Sequence, residues 1–190
     1  MIERDGVEAL SMRALGKNLG VEAASLYEHI RSRDDLLDAV ADLVLEEFQL
    51  PPLAGDWKSR LRSIAFAWAE LARRYPQSFR LLYRPSRAIT SNDLVVIEQV
   101  VAALADAGFD DPTRALALRT YLSFVDGVLL RSASGAYNSD DSWRRAAPAD
   151  PASFPGYVAV SPLAQGLTDD AVFAAGVDAL IAGIAGWLEG

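Results

Sequence analysis

A group of basic side chains near the amino terminus is the part of this sequence best suited to binding another molecule. Between residues 11 and 33, two acids, Glu22 and Glu28, stand against four basic residues: Arg13, Lys17, Arg31 and Arg33. Such side chains bind phosphate oxygens through charge-assisted hydrogen bonds. The 190-residue chain as a whole carries 18 basic and 26 acidic residues, a formal net charge of −8, and so repels polyanions. Any contact with nucleic acid must therefore depend on this local patch.

The sequence offers little material for catalysis or metal binding. It has no cysteine and a single histidine, His29, which excludes thiolate zinc sites, iron–sulfur clusters and a cysteine nucleophile and argues against a Ser-His-Asp triad. It also lacks a glycine-rich phosphate-binding loop. Adjacent acids occur at Asp140-Asp141 and Asp169-Asp170, which we interpret as solvated loop or helix-cap residues. We predict a protein that is not an enzyme and has no cofactor and no metal.

The ends of the chain bear on its location. Residues 1–6 contain acids where a secretion signal needs a basic and then an apolar run, so we predict a cytoplasmic protein. Ala171–Leu188 approaches membrane-spanning length, but Asp178 lies inside it and glycines interrupt it. We interpret this stretch as a buried or interface helix and expect no membrane partner.

Helix caps and helical spacing recur along the chain, which predicts an all-α fold. Pro51-Pro52, followed by Gly55, favours a boundary between domains at residues 1–50 and 51–190. The segment Ser134–Leu167 is predicted to be a loop, with a helical turn around Ser142–Ala146 as an option. The pattern predicts helices over Met12–Leu19, Glu22–Ile30, a segment capped by Ser32 and reaching Phe48, Trp57–Tyr75, Pro76–Leu82, Asn92–Ala107, a segment capped by Asp111 and reaching Ser134, and a segment capped by Thr168 and reaching Leu188.

Two short helices joined through Leu19-Gly20-Val21, with a third packed behind them, form a helix-turn-helix pattern. The run from Leu10 to Leu37 resembles the DNA-binding domain of the tetracycline-repressor (TetR) family of transcriptional regulators. It carries Leu-Gly-Val, then Leu-Tyr-x-His, then a basic residue before Leu-Leu. The resemblance implies that Met12–Leu19 is the supporting helix and Glu22–Ile30 the recognition helix, which lies in the major groove.

The resemblance also implies which residues contact DNA. Ser25, Tyr27 and His29 have short or stiff polar tips suited to phosphate oxygens, and Arg33 adds a charge at the start of the following helix. Such contacts position the protein without reading sequence. The full implied set is Ser11, Met12, Arg13, Ala23, Ala24, Ser25, Tyr27, Glu28, His29 and Arg33.

Base reading would depend on a few of these residues. Arg13 could form a bidentate hydrogen bond with guanine or bind a phosphate. Ala23 and Ala24 could pack on thymine methyl groups, and Glu28 could accept a hydrogen bond from the amino group of cytosine. Glu22 is better interpreted as favouring the helix start. Binding should fall steeply with salt, because the local patch must overcome repulsion from the rest of the chain.

The first helix expected for this family is incomplete in the sequence. Members begin with a full helix preceded by a basic arm, and here only Met1–Arg4, before Asp5-Gly6, could represent its end. Either the natural start lies upstream, or the small domain is open on one side and weakly stable. DNA affinity is affected more than the fold.

The resemblance from Trp57 onward is one of layout, and it implies a helical bundle for dimerisation and for a small effector. The last two long helices occupy the positions that pair with their copies in a homodimer. Small residues there would allow close approach and large ones would supply buried area. The residues predicted for this interface are Gly176, Ala179, Leu180, Gly183, Ile184 and Trp187.

An effector pocket is expected among the same helices. Asp126 is the most informative candidate, because an acid between Val125 and Gly127 in an apolar helix needs a partner, water or the surface. We hypothesise that it favours a cationic or hydrogen-bond-donating ligand. The candidate lining residues are Phe66, Trp68, Tyr83, Tyr121, Phe124 and Asp126.

Arginines are concentrated in residues 57–87. We interpret Arg60, Arg73, Arg80 and Arg87 as neutralising the acidic helix over residues 33–48, the alternative being a second nucleic-acid surface. The sequence as a whole predicts a ligand-responsive repressor that binds a palindromic double-stranded operator as a homodimer. The alternative is a helical small-molecule binder that has lost DNA binding.

Overall fold

The structure, a computed structural model, describes residues 1–52, 54–134 and 150–188, and every regular element in those ranges is helical. Short 3-10 turns lie at Val7–Ala9, Arg80–Tyr83, Pro151–Ser153 and Gly186–Leu188. The all-α prediction is confirmed. The helices are α1 Ile2–Asp5, α2 Met12–Leu19, α3 Ala23–Leu26, α4 Arg33–Glu46, α5 Trp57–Arg74, α6 Pro76–Phe79, α7 Ser91–Asp106, α8 Asp111–Ala133, α9 Pro155–Gln165 and α10 Asp169–Ala185.

The predicted helix caps fix most of these boundaries. The Ser11 hydroxyl accepts from the amide of Ala14 at 3.1 Å at the start of α2, and Gly20 ends that helix in the left-handed conformation at φ 70°. Ser32 and Thr168 cap α4 and α10 in the same way. The cap of α8 lies one residue earlier than predicted, because Asp110 and not Asp111 accepts from Thr113.

Two predicted elements differ in the structure. The recognition element is α-helical only over Ala23–Leu26 and continues as turns to His29, closed by bonds such as Glu28 N to Ser25 O at 3.4 Å. The prediction of a loop throughout Ser134–Leu167 was wrong at Pro155–Gln165, which forms α9 in spite of Pro162. Pro155 begins this helix, where the missing amide hydrogen costs nothing. The optional turn at Ser142–Ala146 lies outside the described residues.

The amino-terminal turn is attached to the larger domain. Ile2 is buried, and the carboxylate of Glu3 accepts from the amides of Gln77 at 3.0 Å and Ser78 at 2.8 Å, the first free donors of α6. Arg33 at the start of α4 donates to the carbonyl of Val7 and so holds the same segment from the other side. Residues 2–5 therefore form one helical turn that contacts α6 of the larger domain.

Aromatic rings connect α4 to the centre of the larger domain. Phe48, just beyond α4, lies edge-on to Trp68 of α5 with ring centroids 5.1 Å apart, and Trp68 lies 5.4 Å from Phe79. Phe79 in turn packs against Tyr83 at 5.5 Å. Edge-to-face contacts of this kind stabilise packing by about 0.5–1.5 kcal/mol beyond area burial.

Within the described residues one helical stretch, Asp169–Leu188, is long and apolar enough to cross a membrane, with a mean hydropathy of 1.8. One face of α10 belongs to the core through Phe173, Val177, Ile181 and Ile184. Asp178 on another face pairs with Arg62 of α5 at 2.7 Å. This packing places one face of α10 in the core of the chain.

Candidate nucleic-acid interface and ligand cavity

The turn between α2 and α3 brings two backbones into close contact at Gly16. A Cβ atom at this position would lie 2.8 Å from the carbonyl oxygen of Val21 and 3.3 Å from the amide nitrogen of Ala23. Only glycine allows the two helices to pack in this way. The sequence analysis did not single out Gly16, although a glycine inside a predicted helix usually has a packing reason.

Most of the predicted DNA contacts lie on one exposed surface around α3 and the following turn. Ala24, Ser25, Glu28 and His29 are exposed, and Tyr27 is 55% exposed although it is a large aromatic residue. Ala23 is half-buried against α2, while Arg13 is exposed on α2. An exposed tyrosine beside serine and histidine suits the phosphate contacts that such motifs make.

Two of the predicted DNA contacts are constrained by the protein itself. Met12 is 5% exposed and belongs to the core of the small domain, so its side chain is unavailable to DNA. The Arg33 guanidinium donates to the carbonyls of Leu10 and Val7, each at 3.2 Å, and lies 3.6 Å from the Glu8 carboxylate. Arg33 thus anchors the amino-terminal segment, and its hydrogen bonds compete with any phosphate contact.

A cavity of about 250 Å³ lies in the larger domain, between α5, α7, α8 and the chain that follows α6. It brings together four of the predicted effector residues: Trp68, Tyr83, Tyr121 and Asp126. Most of the remaining wall is aliphatic, as in ligand sites generally. Besides those four, the wall comprises Ile64, Leu82, Arg87, Ile89, Asp93, Val96, Ile97, Val100, Leu122 and Val125.

The Asp126 carboxylate is held by two neutral donors of the cavity wall. Its Oδ1 accepts from the Tyr83 hydroxyl at 2.6 Å and from Trp68 Nε1 at 3.2 Å. Burial raises the pKa of Asp126, and these hydrogen bonds only partly oppose the rise. Burial, with Asp126 beside it, also raises the pKa of Tyr83. Tyr121 has a different role, because its hydroxyl donates to the carbonyl of Leu61 at 2.7 Å.

Arg87 belongs both to the cavity wall and to the junction with α4. It donates through Nη2 to Asp42 of α4 at 2.8 Å and pairs with Asp93 of α7 at 2.9 Å, with its side chain only 4% exposed. Burial lowers the pKa of Arg87, but the hydrogen bonds with Asp93 and Asp42 outweigh it and leave the pKa raised. Asp93 also accepts from the amide of Thr90 at 2.7 Å, at the start of α7.

Most arginines of residues 57–87 pair either with acids of α4 or with acids of the larger domain. Arg84 and Arg87 pair with acids of α4, so the prediction for Arg87 is confirmed. It was wrong for Arg60, which pairs with Asp106, and for Arg73, which pairs with Glu70 and Asp170 within the larger domain. Arg80 forms no ion pair with any described residue.

A second cavity, of about 470 Å³, lies between α5, α8 and α10. Phe124 lines this cavity and not the one around Asp126. Phe66 lines neither; it packs edge-on against Phe173 at 5.5 Å, beneath Arg62. These two predicted effector residues are therefore separated from Trp68, Tyr83, Tyr121 and Asp126.

The residues predicted for the dimer interface fall on different faces of α10 and the turn after it. Ala179 and Gly183 are exposed, Leu180 is half-buried, and Trp187 is 40% exposed. Gly176 faces inward, since a Cβ there would lie 2.4 Å from Phe124 Cζ. Ile184 is 1% exposed and belongs to the core of the protomer, so the structure removes it from the predicted interface.

Family comparisons cover both parts of the chain. Residues 1–40 match a family described as bacterial regulatory proteins, tetR family. Residues 51–187 match a family described as tetracyclin repressor-like, C-terminal domain. Residues 41–50 lie between the two matches.

Individual relatives are also regulators. An HTH-type transcriptional regulator from Saccharopolyspora erythraea is 41% identical over 114 residues, covering 57% of this chain and 46% of that protein. The tetracycline repressor protein class A from transposon 1721 of Escherichia coli is 28% identical over 197 residues, covering 97% of this chain and 85% of the repressor. The chain spans about half the length of the first of these relatives.

Solved structures show the same architecture. The TetR family protein ActR of Streptomyces coelicolor, in complex with (S)-DNPA, has a TM-score of 0.79 and 28% identity, and the match covers 98% of this chain and 92% of ActR. A complex of ActR with actinorhodin matches with a TM-score of 0.78.

Replacing Gly16 with alanine is expected to lower the free energy of unfolding by about 1–3 kcal/mol, because the new methyl group overlaps the carbonyl of Val21. Urea denaturation followed by circular dichroism measures this change. Gly127→Ala is the matched control, since Gly127 lies inside α8 with no atom within 4 Å of a new Cβ, and alanine there should stabilise by up to about 1 kcal/mol. Equal stability of Gly16→Ala and the parent chain would show that the close contact is unimportant.

Asp126→Asn is expected to raise the melting temperature at pH 7–8. The pKa of Asp126 is higher in the folded chain than in the unfolded one, so ionisation of this carboxyl opposes folding. The resulting destabilisation is absent below the unfolded pKa of about 4 and grows as the pH rises towards the folded pKa. Thermal denaturation from pH 4 to pH 8 should show the difference from the parent shrinking towards pH 4. Asp111→Asn, at an exposed acid of the same helix, is the control. A difference that is negative at pH 7 would contradict the prediction.

Proposed function

The chain belongs to the TetR family of bacterial regulators, and from this premise we propose that it is a transcriptional repressor that leaves its operator when a small molecule binds. The observation that carries the proposal is the position of Arg87. It lines the cavity and is ion-paired to Asp42 of α4, the helix packed behind the DNA-reading motif. An occupant that shifts Arg87 changes the orientation of α4, and differential binding to two such states is what a ligand needs to control DNA affinity.

The DNA-binding part of the proposal assigns the exposed surface around α3 to the major groove. The local positive charge comes from Arg13 and Lys17 on α2 and from Arg31 after α3. The proposed phosphate contacts are Ser25, Tyr27 and His29. The proposed base contacts are Ala23, Ala24 and Glu28. Because these cations contact phosphates, binding should weaken as salt rises, with a slope set by the number of phosphates contacted. We place the protein in the cytoplasm, where operator DNA is accessible.

The proposal includes a homodimer formed through α8 and α10. Leu116 of α8 is 57% exposed, and Trp187, beyond α10, adds an exposed aromatic surface. Ala179 and Gly183 are exposed on α10, where their small size allows close approach of a second copy. A two-fold arrangement would present two reading surfaces to successive major grooves and select a palindrome.

The second candidate function is a helical small-molecule binder that no longer binds DNA. It is favoured by the formal net charge of −8, which repels DNA everywhere except at the local basic patch. Selection of binding sites from a random duplex-DNA pool at two salt concentrations separates the candidates. Recovery of a palindrome supports the repressor, whereas failure to enrich any sequence, also with a version of the chain extended upstream, supports the second candidate.

Arg13→Ala is expected to weaken binding about equally across DNA sequences and to lower the slope of log affinity against log salt by about one, because it removes one phosphate contact. Fluorescence anisotropy with labelled duplex at several salt concentrations measures both quantities. Lys58→Ala, which removes an exposed positive charge from the larger domain, is the control and should leave affinity nearly unchanged. Equal losses in the two variants would show that overall charge, and not the reading surface, governs binding.

Gly183→Arg is expected to convert the dimer to a monomer without unfolding it. A Cβ at Gly183 meets no atom within 4 Å in the protomer, so the new side chain is accommodated there, but it would be buried and unpaired at the proposed interface. Sedimentation equilibrium gives the mass and circular dichroism gives the helix content. A variant that stays dimeric would place the interface elsewhere.

A further inference from the structure

The cavity of about 470 Å³ between α5, α8 and α10 is separate from the cavity around Asp126. Helix α8 lines both, with Tyr121 and Asp126 in the wall of one and Phe124 and Val128 in the wall of the other. The two walls share no residue among those described. The larger volume lies within the range of about 300–1,000 Å³ that is usual for ligand sites. The proposed effector cavity therefore leaves a second, larger space without an assigned occupant.

Two ion pairs establish how α5 and α10 run past each other along this cavity. Arg62 near the start of α5 pairs with Asp178 in the second half of α10 at 2.7 Å. Arg73 in the last turn of α5 pairs with Asp170 in the first turn of α10 at 3.2 Å. The two helices are therefore antiparallel, and the end of α5 lies beside the start of α10.

Two hydrogen bonds establish the direction of α8 in the same way. The Tyr121 hydroxyl donates to the carbonyl of Leu61 at 2.7 Å, and Trp68 Nε1 donates to Asp126 at 3.2 Å. Residue numbers rise together on both helices, so α5 and α8 are parallel. The last turns of α5 and α8 and the first turn of α10 therefore meet at one end of the cavity.

The polar residues of the cavity wall are all at this end. They belong to the last turn of α5 or α8 or to the first turn of α10: Arg73, Arg131, Ser132, Asp169 and Asp170. Away from this end the wall is apolar, through Ala69, Phe124, Val128, Phe173 and Gly176. Six residues of α10, a rise of roughly 9 Å, separate Asp170 from Gly176. The cavity thus has one polar end and an apolar interior.

The formal charges at the polar end balance. Arg73 and Arg131 are positive, and Asp169 and Asp170 are negative. An ionic head group placed there would meet a like charge as well as an opposite one, and it would lose part of its hydration. A hydroxyl group avoids that loss, because it is neutral and both donates and accepts hydrogen bonds. The arrangement favours an uncharged head group over a carboxylate or an ammonium group.

We propose that this cavity binds an uncharged amphiphile, with its apolar body between α5, α8 and α10 and a single hydroxyl group at the polar end. The inference goes beyond the proposed function, because this site is separate from the effector cavity and requires no DNA. The Asp169 carboxylate is half-buried, and none of the described residues pairs with it, so it is the acceptor assigned to the hydroxyl. Burial of the apolar body supplies most of the affinity, and the hydroxyl sets the orientation.

Titration calorimetry of the full chain at pH 7 tests the preference for an uncharged head. One series of probes is 1-octanol, octanoate and octylamine, and the other is 4-phenyl-1-butanol, 4-phenylbutanoate and 4-phenylbutylamine. The members of each series share one apolar body and differ only at the head. In at least one series we expect the alcohol to bind about tenfold more tightly than either ion.

Two matched variants on α8 locate the bound alcohol. Val128 and Leu122 are both half-buried, and each lines only one of the two cavities. Val128→Trp should lower the affinity for the alcohol by about tenfold or more, because the larger side chain fills the site. Leu122→Trp should leave the affinity within about twofold of the parent chain. Circular dichroism verifies helix content, and Ser132→Trp, at an exposed position of the same wall, repeats the test if Val128→Trp does not fold.

A change of charge at the polar end tests the position of the head group. Asp169→Asn leaves that end with a net positive charge, so the affinity for the carboxylate relative to the alcohol should rise about threefold or more. Asp111→Asn removes an exposed acid from the first turn of α8 and should leave this ratio unchanged.

Several outcomes would overturn the proposal: no binding of either alcohol, an ion that binds as tightly as the alcohol in both series, affinity unchanged by the tryptophan in the larger cavity, or a ratio unchanged by Asp169→Asn. Loss of binding in Leu122→Trp would place the alcohol in the other cavity and would also overturn it. The titrations contain no DNA, so they are independent of the selection of binding sites. A recovered operator without alcohol binding would leave the repressor standing and remove only this site.

Discussion

The buried guanidinium of Arg87 is the interaction on which the arrangement of the two halves of the molecule depends. Its side chain, which is almost fully buried, pairs with Asp42 of α4 and with Asp93 near the start of α7. Removing one partner of a buried pair leaves an uncompensated charge, which is why such clusters resist gradual change and switch between discrete arrangements. Because the same side chain forms part of the cavity wall, the cavity and the DNA-reading half share one residue.

A second connection runs parallel to the first through aromatic packing. Phe48 follows α4 and lies against Trp68, and Trp68 donates to Asp126 inside the cavity. Tyr83 contacts both Phe79 and Asp126. A ligand at Asp126 would therefore disturb Trp68, which packs against Phe48 just beyond α4. A ligand at Arg87 would instead disturb the pairing with Asp42 within α4. Both contacts bias the same helix, which is the physical requirement for coupling two sites.

The small domain contacts the larger one through its amino-terminal segment and through α4. Glu3 of α1 accepts from two amides of α6, and Arg33 of α4 donates to the carbonyls of Val7 and Leu10, which follow α1. The reading element itself is short, and its geometry depends on the missing side chain of Gly16. Because so few contacts fix the exposed surface around α3, its orientation depends on the position of α4.

The sequence by itself determined the helical class, most helix starts and the reading motif, because caps such as Ser11, Ser32 and Thr168 and the spacing of apolar residues act locally. It also singled out Asp126, since an acid in an apolar helix requires an explanation wherever that helix packs. Tertiary structure alone decided that Met12 and Ile184 are core residues and that Phe66 and Phe124 lie away from Asp126. It alone brought Arg87 to the cavity, because pairing between Arg87 and Asp42 joins residues that are distant in sequence, and no local pattern specifies which of several arginines meets which acid.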